Sequence, residues 1–88
     1  MTQDKSLKTT VLGAIADACN LSAAEITVDM NIQDLGLDSW AITAIVAQLE
    51  AAYGIEVSTD QLIDLMQAEF VRDFVALVER MTGVASHA

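Results

Sequence analysis

One segment constrains the fold more than any other. It runs from Ser39 to Tyr53, is apolar and periodic, and is closed by Gly54. At about 100° per residue, Ile42, Ile45, Val46, Leu49 and Tyr53 fall within an arc of about 100°. That spacing predicts a long amphipathic helix with this arc turned toward a core. Gly54 supplies the stop, because glycine takes the left-handed conformation at a helix end without steric penalty. A chain of 88 residues has room for one small domain, so this helix must form one wall of it.

Three further helices can be drawn around that wall. The first spans about Asp4 to Asn20, with Leu7, Val11, Ala14, Ile15 and Ala18 on one stripe and Asn20 as its stop. A short third helix covers about Thr59 to Met66, opened by the capping box Ser58-Thr59-Asp60-Gln61. The last spans about Phe70 to Thr82. Its core stripe is read as Phe70, Phe74, Leu77, Val78 and Met81, with Arg72, Asp73, Glu79 and Arg80 toward water. Gly83 ends it.

Between the first two helices lies a long connection, Leu21 to Asp38. Ser22-Ala23-Ala24-Glu25 reads as a second capping box that holds a single helical turn. Ile26, Val28, Met30, Ile32, Leu35 and Leu37 are expected to pin the rest to the core. Irregular connections of this length are uncommon in compact domains and are often functional. The expected architecture is therefore all-α: a four-helix bundle with a long first loop and a short third helix. Residues 1–88 read as a single domain with a core of about 4–82 and a frayed tail at 83–88.

Composition excludes several functions. The 53% hydrophobic fraction with 19% charged residues describes a globular core. Aromatic residues make up only 5%, so that core must be built from small and branched side chains. Thirteen acidic against four basic residues give a net charge of −9. Such a surface repels phosphate backbones, which excludes nucleic acid and favours attraction to basic protein surfaces. The longest apolar run, Trp40 to Leu49, is far short of the roughly 20 residues that cross a bilayer. No signal peptide is read at the start, where Gly13 and Asp17 interrupt the stretch after Lys5 and Lys8. A cytoplasmic monomer is the expectation.

Chemistry is scarce. The chain has one cysteine, Cys19, read as a small core residue, and one histidine, His87, in the tail. Neither a zinc site nor a Ser-His-Asp triad can be assembled from these. The stretch from Asp29 looks faintly like a calcium loop. It puts Asp34 where that loop needs glycine and Trp40 where it needs glutamate, so it is rejected.

What remains is Ser39, in Asp34-Leu35-Gly36-Leu37-Asp38-Ser39-Trp40. Asp38 and Ser39 supply N-cap chemistry where irregular chain becomes helix, and Gly36 allows a tight approach. A hydroxyl held there is exposed, and the helix N-terminus favours an added negative charge. As a plain N-cap, Ser39 would contribute only about 1 kcal/mol to stability.

Asp34 to Ser39 resembles the phosphopantetheine attachment motif of acyl carrier proteins. Leu49-Glu50 with Tyr53-Gly54-Ile55-Glu56-Val57 resembles the end of that family's second helix. Phe70-Val71-Arg72-Asp73-Phe74 resembles the start of its last helix, and Ile26-Thr27 through Asp34 fits its long first loop. The match covers about residues 5–82. The resemblance implies that a phosphopantetheinyl transferase, with coenzyme A and magnesium, places a 4'-phosphopantetheine arm on Ser39 through a phosphodiester. It implies that the arm's thiol carries acyl groups as thioesters. Asp38 would help the transferase and magnesium engage the serine. The domain itself would catalyse nothing. It would present a tethered substrate to synthases, ligases or acyltransferases of fatty-acid, lipid or polyketide-type biosynthesis, at raised effective concentration.

Two departures from that pattern stand out. Trp40 follows the serine where the family usually has leucine or methionine. The indole either lines the arm's exit or docks into a partner, or else it covers Leu37 and the loop. Where the usual fatty-acid carriers have glutamates on the outer face of the second helix, the matching positions hold Ala44 and Ala51, which leaves Glu50, and Trp40, Ala44, Ala47 and Ala51 together read as an apolar contact patch. This suggests a specialised carrier. An aminoacyl or peptidyl carrier is the alternative within the class, although Leu35-Gly36-Leu37 lacks the glycine pair those carriers usually show. An unmodified helical interaction domain is the alternative outside it.

Overall fold

The computed structural model describes residues 7–83. Four helices follow in order: α1 (Leu7–Cys19), α2 (Ser39–Tyr53), α3 (Thr59–Met66) and α4 (Val71–Thr82). Two single 3-10 turns, Ala23–Glu25 and Gln33–Leu35, interrupt the long connection between α1 and α2. Among the described residues there is no strand, so the expected all-α bundle with a long first loop and a short third helix is what forms.

The bounds follow local chemistry. In α3, the Ser58 N–H donates to Gln61 Oε1 (2.9 Å) and the Gln61 N–H donates to Ser58 Oγ (3.2 Å), closing the reciprocal box. Gly54 and Gly83 end α2 and α4 in the left-handed conformation. Asn20 does the same for α1 at φ 59°, a conformation asparagine tolerates better than most residues. The turn at Ala23–Glu25 forms as expected, but only half of its box does. The Glu25 carboxylate accepts from the Ser22 N–H (2.9 Å) and also from the Ser22 hydroxyl (3.2 Å), so that hydroxyl donates rather than caps.

The core sits where the four helices meet. Val11, Ile15, Ile45, Leu65, Val71 and Phe74 are completely buried. On α2 the expected arc holds: Ile42, Ile45, Val46 and Leu49 are buried, and Tyr53 lies half-buried at its edge. Two stripes need correction. On α1, Ala18 is exposed and Ala16 is buried. The chain folds back there, with the Leu21 N–H donating to the Ala16 carbonyl at 2.9 Å. On α4 the core stripe turns toward Val71 and Val75, which are buried with Phe74 and Val78. Phe70, Leu77 and Met81 are only half-buried. Phe70 is the extended residue before the helix (φ −115°), so it does not share the helical period from which the stripe was read.

The long connection is held more firmly than its irregular sequence suggests. Ile26, Ile32 and Leu37 enter the core, while Val28, Met30 and Leu35 are half-buried. Its backbone also pairs with the segment leading into α4. The Ile32 N–H donates to the Glu69 carbonyl (2.9 Å), the Val71 N–H to Met30 (2.9 Å) and the Arg72 N–H to Val28 (3.0 Å). This pairing supplies acceptors to N–H groups in the first turn of α4 that no helical carbonyl can reach. It also fixes one flank of the chain that rises into α2.

Candidate functional site

The approach to α2 is built residue by residue. Gly36 closes the 3-10 turn Gln33–Leu35 at φ 76°, its N–H donating to the Gln33 carbonyl at 3.0 Å. That left-handed turn sends Leu37 inward, where it is buried. Asp38, Ser39 and Trp40 then emerge into solvent one after another.

The cap is Asp38 alone. Its Oδ1 accepts the Ala41 N–H at 2.9 Å, and its carbonyl accepts the Ile42 N–H at 3.0 Å. Ser39 is the first residue inside the helix, so the reading of Ser39 as a cap is corrected by one position. With Asp38 turning the chain, the Ser39 hydroxyl is not needed for capping. Ser39 contributes its carbonyl to the helix, where the Thr43 hydroxyl also donates to it at 2.8 Å. The result is an exposed primary alcohol on the first turn of a helix, next to backbone N–H groups that have no intrahelical acceptor.

Beside this alcohol lies a groove of about 620 Å³. Leu37, Asp38, Ser39 and Ile42 form one wall, Asn31, Ile32 and Gln33 a second, and Met66, Gln67, Ala68 and Glu69 the third. Buried Ile32, Leu37 and Ile42 contribute apolar surface, while three side-chain amides and two carboxylates supply hydrogen-bonding groups. The sequence reading missed Met66 to Glu69 as neighbours of Ser39. They arrive there because the α3–α4 connection is paired to the first loop, a contact between segments far apart in the chain.

The other singled-out residues separate clearly. Trp40 is 82% exposed, so the reading in which its indole covers Leu37 does not hold. Ala44, Ala47 and Ala51 are exposed on the same side of α2. The Glu50 carboxylate turns to the α2–α3 connection and accepts the Val57 N–H at 2.8 Å. Cys19 is half-buried, its thiol 3.7 Å from the Leu35 carbonyl, and burial pushes that thiol's pKa up. Asp29 pairs with Arg72 at 2.9 Å, and Asn31 Oδ1 accepts the Gln33 N–H at 2.8 Å. No group of residues that could hold a metal ion occurs among those described. His87 lies outside the described residues. No described helix is long and apolar enough to cross a membrane.

These residues suit a phosphodiester-linked arm. The alcohol is accessible, the helix N-terminus favours phosphate, and the adjoining groove offers amides to a chain that itself bears amides. The family model described as "Phosphopantetheine attachment site" matches residues 9–78. An acyl carrier protein from Solidesulfovibrio magneticus is 31% identical over 70 residues, covering 78% of this chain and 86% of that protein. No solved structure matches. The chain belongs to the phosphopantetheine attachment site family, whose members carry 4'-phosphopantetheine covalently.

Proposed function

We propose that Ser39 is the residue that bears the arm, and that the protein presents acyl thioesters to enzymes of fatty-acid, lipid or polyketide-type biosynthesis. The observation that carries this reading is the Ser39 hydroxyl, exposed on the first turn of α2 at the rim of the groove. The arm supplies the terminal thiol on which acyl groups ride, and the chain's own residues do the rest. Asp38 fixes the first turn through Ala41, Leu37 anchors it to the core, and the N-terminal dipole of α2 favours the phosphate by about 0.3–1 kcal/mol. Asp38 opposes that charge, but it is exposed and well solvated. No step requires a catalytic group from this chain, and carriers of this family are generally not enzymes.

A phosphopantetheinyl transferase with coenzyme A and magnesium is the first partner, and synthases, ligases or acyltransferases are the later ones. The uncharged outer face of α2 supports a specialised carrier with dedicated partners, acting as a monomer in the cytoplasm. The deciding experiment is incubation with coenzyme A, magnesium and a promiscuous transferase, read by intact mass. One added phosphopantetheine, absent from Ser39→Ala, is expected. No gain under conditions that modify a control carrier refutes the assignment. Full activity with the general fatty-acid enzymes would refute the specialised reading.

A further inference from the structure

Two walls of the groove beside Ser39 are continuations of one clasp. Residues 28–32 of the first loop pair with residues 69–72 through the Ile32, Val71 and Arg72 N–H groups, and Asn31 and Phe70 face each other there as an antiparallel bridge. The first segment runs on into the wall of residues 31–33, and the second comes out of the wall of residues 66–69. Both sides are acidic. Residues 28–38 hold Asp29, Asp34 and Asp38 with no basic residue, and residues 64–73 hold Asp64, Glu69 and Asp73 with Arg72 as their only cation. Like charges on facing segments push them apart, and a phosphodiester on Ser39 would add one more.

Arg72 works against that repulsion at both sides of the clasp. Its backbone N–H donates to the Val28 carbonyl at 3.0 Å, its Nη1 donates to Asp29 Oδ1 at 2.9 Å, and its guanidinium lies 4.5 Å from the centroid of the Phe70 ring. One side chain thus touches the loop at Asp29 and the bridge at Phe70. Asn31, opposite Phe70, is itself fixed, its Oδ1 accepting the Gln33 N–H at 2.8 Å. Building on the assignment of the arm to Ser39, we infer that Arg72 is a positioning residue for that arm: its cation keeps the walls bearing Asn31, Gln33 and Gln67 at the separation in which their side-chain amides hold the arm's amides. Arg72 and Asp29 are both exposed, so each contact is weak alone, and the effect falls on the spacing of the walls rather than on global stability.

The test compares the parent with Arg72→Gln, Arg72→Lys and Asp29→Asn, each before and after loading with coenzyme A, magnesium and a promiscuous transferase. Intact mass confirms loading, and nitrogen-15 NMR reads the side-chain amides of Asn31, Gln33 and Gln67. In the parent, loading shifts these resonances. In Arg72→Gln, hydrogen exchange at the Ile32 and Val71 amides quickens about fivefold, and the loading shifts largely disappear. Arg72→Lys keeps the cation and retains most of them. Amides of α1, outside the clasp, exchange at parent rates in every variant, which separates the effect from general loosening. Loading shifts in Arg72→Gln equal to the parent's, or an Arg72→Lys as poor as Arg72→Gln, overturn the inference while leaving Ser39 assigned. Parent resonances that ignore loading, on a chain whose mass shows the arm in place, overturn it as well. If Arg72→Gln fails to fold, Asp29→Asn, at an exposed loop position, carries the same comparison. No mass gain in the parent chain defeats the Ser39 assignment and this inference together.

Discussion

Replacing Asp38 separates what the first turn of α2 needs for folding from what it needs for modification. Its Oδ1 accepts the Ala41 N–H at 2.9 Å, and losing an N-cap side chain costs about 1 kcal/mol. The carboxylate also sits at the positive end of the helix, which adds about 0.3–1 kcal/mol for an exposed charge. Asp38→Ala should therefore destabilise the protein by about 1.5 kcal/mol. In a domain of this size, each kcal/mol moves Tm by about 4–8 °C, giving a drop of about 6–12 °C. Asparagine caps nearly as well as aspartate, so Asp38→Asn should lose only the charge contribution, about 0.5 kcal/mol and about 2–4 °C.

Thermal unfolding followed by far-ultraviolet circular dichroism reads both values. The modification assay on Asp38→Asn then tests whether the carboxylate helps engage the transferase, as the family resemblance implies, with the turn intact. A large fall in modification rate beside a small fall in Tm is expected. If Asp38→Ala melts within about 2 °C of the parent, the cap is not holding the turn. If Asp38→Asn is as damaging to stability as Asp38→Ala, charge rather than acceptor geometry governs the site.

Other expectations follow from the packing. Phe74, completely buried among the four helices, should cost about 3–5 kcal/mol on replacement by alanine, a large share of a small domain's stability, as read by urea unfolding. Gly13 lies inside α1 with open space where a Cβ would be, so Gly13→Ala should stabilise by about 0.5–1 kcal/mol. Gly36 is equally uncrowded but sits at φ 76°, so Gly36→Ala should destabilise by about 1 kcal/mol through backbone strain alone; equal effects of the two substitutions in chemical denaturation would refute that distinction. Burial raises the Cys19 pKa above its ordinary 9.0, so the folded state holds this proton more tightly. The stability linked to it is fully present below pH 9.0 and is lost as pH rises through the folded value. Iodoacetamide at about pH 8 should label the native thiol more slowly than the urea-unfolded one, and equal rates would refute it.

What was legible in the sequence was local. The bounds of α2, its buried arc, the Ser58 box and the glycine stops each depend on residues within a few positions of one another. The one-residue error at the cap has a local cause too: aspartate and serine are both good caps, and only the geometry shows that the first of the pair takes the role. The larger omissions were long-range. Nothing in the spacing of Met30 or Ile32 announces a backbone partner in the residues before α4, yet those bonds bring Met66 to Glu69 beside Ser39. The stripe on α4 was misread because large side chains drew attention away from Val71 and Val75, the smaller residues that face the centre. Trp40 was undecidable, since its exposure depends on whether any neighbouring element rises to meet it.

A carrier whose cargo swings on a covalent arm has no need of a swinging protein. If Ser39 bears the arm as proposed, the motion belongs to the arm, and the chain's task is to hold one alcohol at a fixed and accessible point. The structure meets that need by sharp alternation across four residues. Gly36 turns the backbone, Leu37 locks it into the core, Asp38 caps the helix, and the Ser39 hydroxyl is left free of structural duty. The first loop contributes by pairing with the approach to α4, so the groove beside Ser39 is braced from both sides. Once the hydroxyl is fixed, the surface that follows it along the helix is what a partner meets first. On this chain that surface carries exposed Trp40, Ala44, Ala47 and Ala51.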